Sequence, residues 1–419
     1  MSRPLSPVLD HQIFLPLVRD SGVMTEARAL WVTRWDYSTI TDVETLVENA
    51  AYAGFNMLFF QVRGTADAFY APGLEPWGAR LSGGTLGEDP GWDPLQTAIE
   101  AAHARDLELH AYLNVYPVWS GETAPLSTTV PQHLFWTLSY HHTWDDWRVV
   151  DRDGVTMTLS DGYLWATPAL SDVVDHVVSV AADLVSRYDV DGIHLDLVRY
   201  PDRGYSYDPF SNAGYESALA QDPKLSRAEW QRRQVSQLVN RVYSEVILSG
   251  SGPDPSGGPP VSPGQARSAP LRLSAAVWPI YQDHWGWGYK AGYDDFYQDS
   301  QGWIQGSIID TIVPMLYTGM FISDPNALTS TQFSLVASDF LAQDSGRHVF
   351  PGISAENLDF AGIAERIAIA RDLGAPGQAI FSAGLLARKG YWDAFAAGPY
   401  VAEAAIPPMT WRTGRTGGH

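Results

Sequence analysis

Eight short apolar runs alternate along this chain with stretches whose apolar residues recur at helical spacing, and that alternation limits the fold more than any other feature. The runs are ALWVTRW, NMLFFQVRG, LELHAYLNVY, DVDGIHLDLVRYP (Asp189 to Pro201), LRLSAAVWP, IIDTIVPMLY, HVFPGISA and QAIFSAGL. Helix signals lie between them. Thr41 and Glu44 form a capping box ahead of VETLVENAAYA, with Gly54 as its stop. Asp93 and Pro94 open a second helix over LQTAIEAAHAR, Ser171 precedes the apolar stripe of DVVDHVVSVAADLVSRY, and AGIAERIAIARDLG ends on Gly374. Eight strands alternating with helices predict a single (β/α)₈ barrel in the α/β class. A doubly wound sheet competes, but it calls for a glycine-rich loop after its first strand, and WVTRWDYST has no glycine.

The 419 residues are 45% apolar and 12% aromatic, enough for one large core. The barrel is expected over residues 26–400, between an N-terminal extension (1–25) and a C-terminal tail (401–419). The excess length falls into two insertions, at about 64–92 and 202–270. The second holds an expected helix from Arg227 to Leu248 and then the linker-like SGSGPDPSGGPPVSPG. Both follow strands, so both rise from the C-terminal face, where barrel active sites lie.

A formal charge of −21 argues against nucleic acid and anionic membranes as partners, because both require a basic surface. No run of eighteen apolar residues suggests a membrane span, and MSRPLSPVLDHQIF lacks the order of a signal peptide. Without cysteine the chain has no disulfide, thiolate metal site or cysteine nucleophile. HExxH is absent and His141–His142 has no ligand pattern around it, so neither a metal nor another cofactor is expected.

Side chains two apart on a strand share a face. In the fourth run Ile193, Leu195 and Leu197 point one way, toward the helices. His194, Asp196 and Val198 point into the barrel. The same parity turns Trp31, Thr33 and Trp35 inward on the first strand, Phe59, Gln61 and Arg63 on the second, and His110, Tyr112 and Asn114 on the third. Ser274, Ala276 and Trp278 follow on the fifth, Met315 and Tyr317 on the sixth. A barrel filled only for stability would be layered with Val, Ile and Leu. Asp191 and Gly192 read as strand-start residues, and His110 and His194 as core hydrogen-bonders. Arg63 and Arg199 are candidate partners for a buried acid. Asp196 is different: a carboxylate at the end of a central strand is costly to bury, so an ion pair or chemistry retains it. Sixteen Trp and twenty Tyr, many after strands, add flat faces with polar handles that suit sugar rings; Trp35, Tyr116, Trp278 and Tyr317 are among them. An oligosaccharide or polysaccharide is therefore the expected partner.

In order, RALWVTRWDY, NMLFFQVRGTADAFYAPGLEPWG, PGWDPLQTAIEAAHARDLELHAYLNVYPVW, DVDGIHLDLVRYP, LSAAVWP and TIVPMLYTG resemble the glycoside-hydrolase-like family ten, from about Glu26 to Trp392. The resemblance implies a barrel without metal that acts on carbohydrate, in cell-wall members on peptidoglycan strands lacking stem peptides. It also implies export, or a lipid anchor. The family's fourth-strand acid falls on Asp196, its second-strand Gln and Arg on Gln61 and Arg63, its loop Asp on Asp67 and its third-strand Asn on Asn114. Many members have two adjacent Asp at the end of the fourth strand; here Leu197 follows Asp196.

Glycoside hydrolysis needs a proton donor and a second group that acts as nucleophile, water-activating base or substrate-assisting partner. Asp196 is the expected donor, with Arg199 and Tyr200 beside it on the chain as substrate contacts. Glu356, after the seventh strand, is the expected second group by analogy with other sugar-cleaving barrels. Asp36, Asp67 and Asp283 are the alternatives. Two rival readings are a barrel that binds glycan without cleaving it and a polysaccharide deacetylase; the latter would need a His/Asp metal set.

Overall fold

The computed structural model describes residues 23–143, 145–250, 270–317 and 328–412. Eight parallel strands close into a (β/α)₈ barrel. They are β1 (Ala27–Val32), β2 (Met57–Arg63), β3 (Glu108–Asn114), β4 (Gly192–Asp196), β5 (Arg272–Val277), β6 (Thr311–Pro314), a divided β7, and β8 (Gly377–Phe381). The first part of β7, His348–Val349, pairs with β6; the second, Gly352–Ser354, pairs with β8. Pro351 between them has no N–H to give to a ladder, so the strand changes neighbours there. β8 pairs with β1 and completes the ring.

Helices Ile40–Tyr52, Pro94–His103, Ser171–Arg187, Arg227–Arg241, Ser300–Gln305, Ser330–Leu341, Phe360–Asp372 and Ala383–Lys389 surround it. The fourth continues through a wider π turn, Val242–Ile247. Asp93 caps its helix by accepting from the Gln96 N–H at 3.1 Å, with Pro94 in the first turn. The first helix corrects the expected capping box: Thr39 and Asp42 form it, not Thr41 and Glu44. Asp42 accepts from the N–H groups of both Ser38 and Thr39, at 2.9 Å each. Starting two residues earlier thus satisfies an additional free donor.

Strand alternation divides the core in two. Leu30, Phe60, Leu109, Ile193, Leu273 and Ile312 meet the helices, while Ala29, Trp31, Phe59, Tyr112, Ala276 and Val313 fill the barrel. His194 lies in the inner layer, stacked on Phe59 at 4.0 Å. Trp31 Nε1–H donates to its Nε2 at 3.0 Å, and its Nδ1 lies 2.8 Å from Ser274 Oγ. Burial holds the imidazole neutral. Asp191 anchors the start of β4 by accepting from the Leu109 N–H at 2.7 Å, with His103 at 3.0 Å. Both are core roles.

Segments 64–92, 115–170 and 202–226 rise beyond the strands' C-terminal ends, whereas the helix expected within the 202–270 insertion packs beside the barrel. The segment 115–170 gave no marked pattern in the sequence; it carries the antiparallel pair Pro117–Trp119 with Leu164–Trp165 and helix Leu134–His141. The linker-like segment from Ser251 and most of the N-terminal extension lie outside the described residues. At the other end of the barrel, Met24–Thr25 pairs with Ala404–Ala405, and Arg412 reaches Asp310, so residues 401–412 are docked against the N-terminal rim.

Candidate active site

Asp196 ends β4 at the barrel mouth, half-buried. Leu197, with φ at +51°, turns the backbone so that its own N–H donates to Asp196 Oδ1 at 2.6 Å. A leucine in this left-handed region is uncommon, whereas Asp and Asn enter it more readily. The other oxygen, Oδ2, accepts from the Tyr112 hydroxyl at 2.6 Å. Burial pushes the Asp196 carboxyl up; the Tyr112 and Leu197 hydrogen bonds and the Arg199 charge pull it back only in part. A carboxyl raised in this way holds its proton further toward neutrality, as a general acid requires.

Arg199 stands in an aromatic cage, with its guanidinium carbon 5.2 Å from the Trp165 ring, 5.2 Å from Trp278 and 4.9 Å from Phe296. Burial lowers it to about 10, partly offset by the charges of Asp196 and Asp202. Trp278 stacks on Phe296 at 3.8 Å and donates Nε1–H to the Lys290 carbonyl at 2.8 Å. Tyr317 completes this side: it stacks on Phe381 at 5.6 Å, and the Asp196 charge adds to burial in raising its hydroxyl. Asp196, Arg199, Trp278 and Tyr317 therefore share one mouth.

Asn114 lies opposite Asp196 in the β3–β4 register, and its buried Oδ1 has no partner among the described residues. Gln61 holds the neighbouring turn by accepting from the Arg34 N–H at 2.9 Å. Arg34 donates to the Tyr163 hydroxyl at 3.3 Å, and Trp35, 60% exposed, lies between the guanidiniums of Arg34 (4.8 Å) and Arg80 (5.4 Å).

Arg63 does not pair with Asp196. A register shift between Gln61 and Arg63 turns it toward Glu75, whose Oε1 it reaches at 2.8 Å, and it also bonds the carbonyls of Asn114 and Val115. His176 adds a contact at 2.8 Å. Burial raises Glu75, but the Arg63 charge and His176 outweigh it and hold the carboxyl at about 2.

The other expected residues are placed as follows. Asp36 accepts from the Thr33 N–H at 2.7 Å, and burial raises its carboxyl. Asp67 closes a turn by accepting from the Thr65 N–H at 2.6 Å. Tyr116 and Tyr200 are buried in the outer apolar layer, beneath the mouth. Asp283 caps its own loop, accepting from the N–H groups of Trp287 (3.1 Å) and Gly288 (2.7 Å). Glu356 is exposed two residues beyond β7, and no hydrogen bond joins it to Asp196. Among the described residues no three His, Cys, Asp or Glu side chains gather as a metal site.

Tyr112, Arg34, Tyr163 and Trp165 were not singled out as site residues from the sequence. Parity did turn Tyr112 inward beside Asn114. Tyr163 and Trp165 come from the unpatterned insertion, where no periodicity marks a direction.

The fold and the sequence have known counterparts. The glycoside hydrolase domain of PgaB (BpsB) from Bordetella bronchiseptica superposes with a TM-score of 0.60 at 13% identity, covering 88% of this chain and 97% of that one. The catalytic domain of a Paenibacillus polymyxa β-amylase gives 0.56 at 12%, over 87% and 94%. By sequence, glycosyl hydrolase YngK of Bacillus subtilis (strain 168) is 28% identical over 324 residues, 73% of this chain and 56% of the relative. Glycosyl hydrolase DigH of Escherichia coli (strain K12) is 30% identical over 277 residues, 63% and 55%. The chain thus spans just over half the length of these relatives. Residues 26–336 match the family described as glycosyl hydrolase-like 10, and with that match the barrel, its mouth and the series of strand motifs identify the chain as a member of this family.

Proposed function

We propose that this protein is a glycoside hydrolase, endo-acting on a bacterial amino-sugar glycan such as a peptidoglycan strand or a related exopolysaccharide, and that Asp196 is its general acid. The observation that carries the reading is the state of Asp196: a carboxyl at the mouth, raised by burial, oriented by one hydroxyl and one backbone N–H. Its proton goes to the leaving glycosidic oxygen as the bond to the anomeric carbon breaks. The second role falls to Glu356, acting on a water or on the anomeric carbon, or to the substrate's own acetamido group. Trp278, Tyr317 and Trp35 offer faces for sugar rings, and Asn114 offers an acceptor for a sugar hydroxyl or amide N–H. A glycan of this kind implies action outside the cytoplasm.

Defined peptidoglycan-type and poly-N-acetylglucosamine-type oligosaccharides, incubated with the protein and resolved by mass spectrometry, test this directly. Internal cleavage products are expected, and Asp196→Asn should lower their rate of formation by about a hundred- to ten-thousandfold while leaving binding intact. Leu197, at a position where many family members carry a second Asp, favours the alternative of a barrel that binds glycan without cutting it. Saturable binding with no product from any oligosaccharide would establish that alternative.

A further inference from the structure

The N-terminal end of the barrel, opposite Asp196, holds a cavity of about 290 Å³. Its walls come from the π-turn helix (Asn240, Tyr243, Ser244), from Ser307 ahead of β6, from Arg347 ahead of β7, and from Trp411 and Arg412. That volume is at the small end of the range for small-molecule sites.

Its charges do not balance. Asp310 is fully buried behind the wall and is already saturated. Oδ1 accepts from Trp411 Nε1–H at 2.8 Å, the Tyr243 hydroxyl at 3.0 Å and Arg412 Nε–H at 3.1 Å. Oδ2 accepts from Arg412 at 2.8 Å and the Leu273 N–H at 2.9 Å. Arg347 reaches this carboxylate only at 3.4 Å, through Nη1, which also lies 3.3 Å from the Tyr243 hydroxyl. Its guanidinium lies over the Trp411 ring at 4.8 Å, and its side chain is 10% exposed. Arg347 Nε and Nη2 have no protein acceptor among the described residues. One carboxylate thus faces two arginines, and the arginine with spare donors lines the cavity. His348, edge-on to Trp411 at 4.7 Å, bonds to Arg272 and offers no negative charge.

The N–H groups of Arg347 that bond no described residue open on the cavity, where an entering acceptor can take the place of water. A guanidinium also presents its donors in a fork that matches a carboxylate or a phosphate. We propose that this cavity is a second ligand site, separate from the sugar-cleaving mouth. Its ligand is a small anion bearing a carboxylate or phosphate, up to about the size of an acidic monosaccharide, with the charge on Arg347 and polar contacts from Asn240, Ser244 and Ser307. A bound anion would bridge Arg347 to the docked segment that carries Trp411 and Arg412, tying that segment to the barrel.

Glucuronate, inorganic phosphate and glucose, each added at constant ionic strength with sodium chloride, test the site by calorimetry and thermal unfolding. Glucuronate or phosphate should bind and raise the melting temperature with concentration, and glucose should not. The stronger of the two anions identifies the ligand chemistry. Arg347→Gln should weaken that binding at least tenfold, and Asn240→Trp, which fills the cavity rim and leaves Arg347 in place, should do the same. Asp196→Asn should leave it unchanged, which separates this site from the proposed catalytic one. The proposal is overturned if neither anion binds above the chloride control, if glucose binds equally, or if both cavity variants keep the parent affinity.

Discussion

Asp196 and Asp310 are both carboxylates at the ends of barrel strands, and the protein treats them oppositely. Asp310, at the N-terminal end, accepts from Tyr243, Trp411, Arg412 and the Leu273 backbone. Asp196, at the C-terminal end, has one hydroxyl and one backbone N–H, with a cation nearby but not bonded. A buried carboxylate surrounded by donors is fixed in place, and so holds structure together. One left short of donors is raised by burial and keeps an open side, which suits it to exchange a proton with a ligand.

The comparison can be broken most decisively by exchanging the two acids for their amides. Asp196→Asn should lower hydrolysis by about a hundred- to ten-thousandfold, with the melting temperature nearly unchanged. Asp310→Asn should cost about 3–5 kcal/mol of stability and leave turnover by the folded fraction close to that of the parent. Denaturant unfolding and initial rates on both variants decide it, and a destabilised Asp196→Asn protein would erase the distinction.

Glu75 tests whether saturation or location matters, because it lies near the mouth yet is saturated by Arg63 and His176. Its carboxyl, at about 2 when folded and 4.5 when unfolded, contributes stability that is present above 4.5 and is lost as the pH falls toward 2. The loss should amount to about 3 kcal/mol across that window, absent from Glu75→Gln. Unfolding free energies measured between those pH values report it.

Tyr112→Phe removes a donor that lowers Asp196, so the acid should stay protonated to higher pH. The alkaline limb of kcat/KM should move upward, and the rate should fall about tenfold as the carboxyl loses its orientation. A limb that stays in place would detach Tyr112 from the titrating acid. The smallest effect is expected at Trp35, whose exposed ring meets the guanidiniums of Arg34 and Arg80: Trp35→Ala should raise KM a few-fold and leave stability within about 0.5 kcal/mol.

Much of this was legible in the residues because a strand has a period of two. Parity alone turned His194, Asp196, Tyr112 and Asn114 inward; Tyr112 is in the inner layer, His194 stacks there on Phe59, and Asp196 meets the Tyr112 hydroxyl with Asn114 opposite it. It failed at Arg63, where the shift after Gln61 breaks the alternation and directs the guanidinium to Glu75. No pattern on the second strand announces that shift. The capping box was misplaced for a different reason: Thr39–Asp42 and Thr41–Glu44 satisfy the same spacing, and only the chain's path chooses between them. Tyr163, Trp165 and Arg80 reach the mouth from insertions, whose directions are set by tertiary contacts that no local periodicity encodes.

The division of β7 at Pro351 gives the ring a seam. Elsewhere each strand holds both neighbours over a shared stretch, but here His348–Val349 and one bridge from Gly352 to Met315 grip one side and Gly352–Ser354 grip the other. Separating the ring at that point sacrifices the fewest ladder bonds, so slow breathing of the barrel should begin there. Amide protons of Val349 and Ile353 should then exchange with deuterium well before those of Leu58 or Ile193, which sit between two full-length neighbours. Because β7 leads to Glu356 and Gly352 bridges to Met315, two residues before Tyr317, such breathing would widen the mouth at that edge.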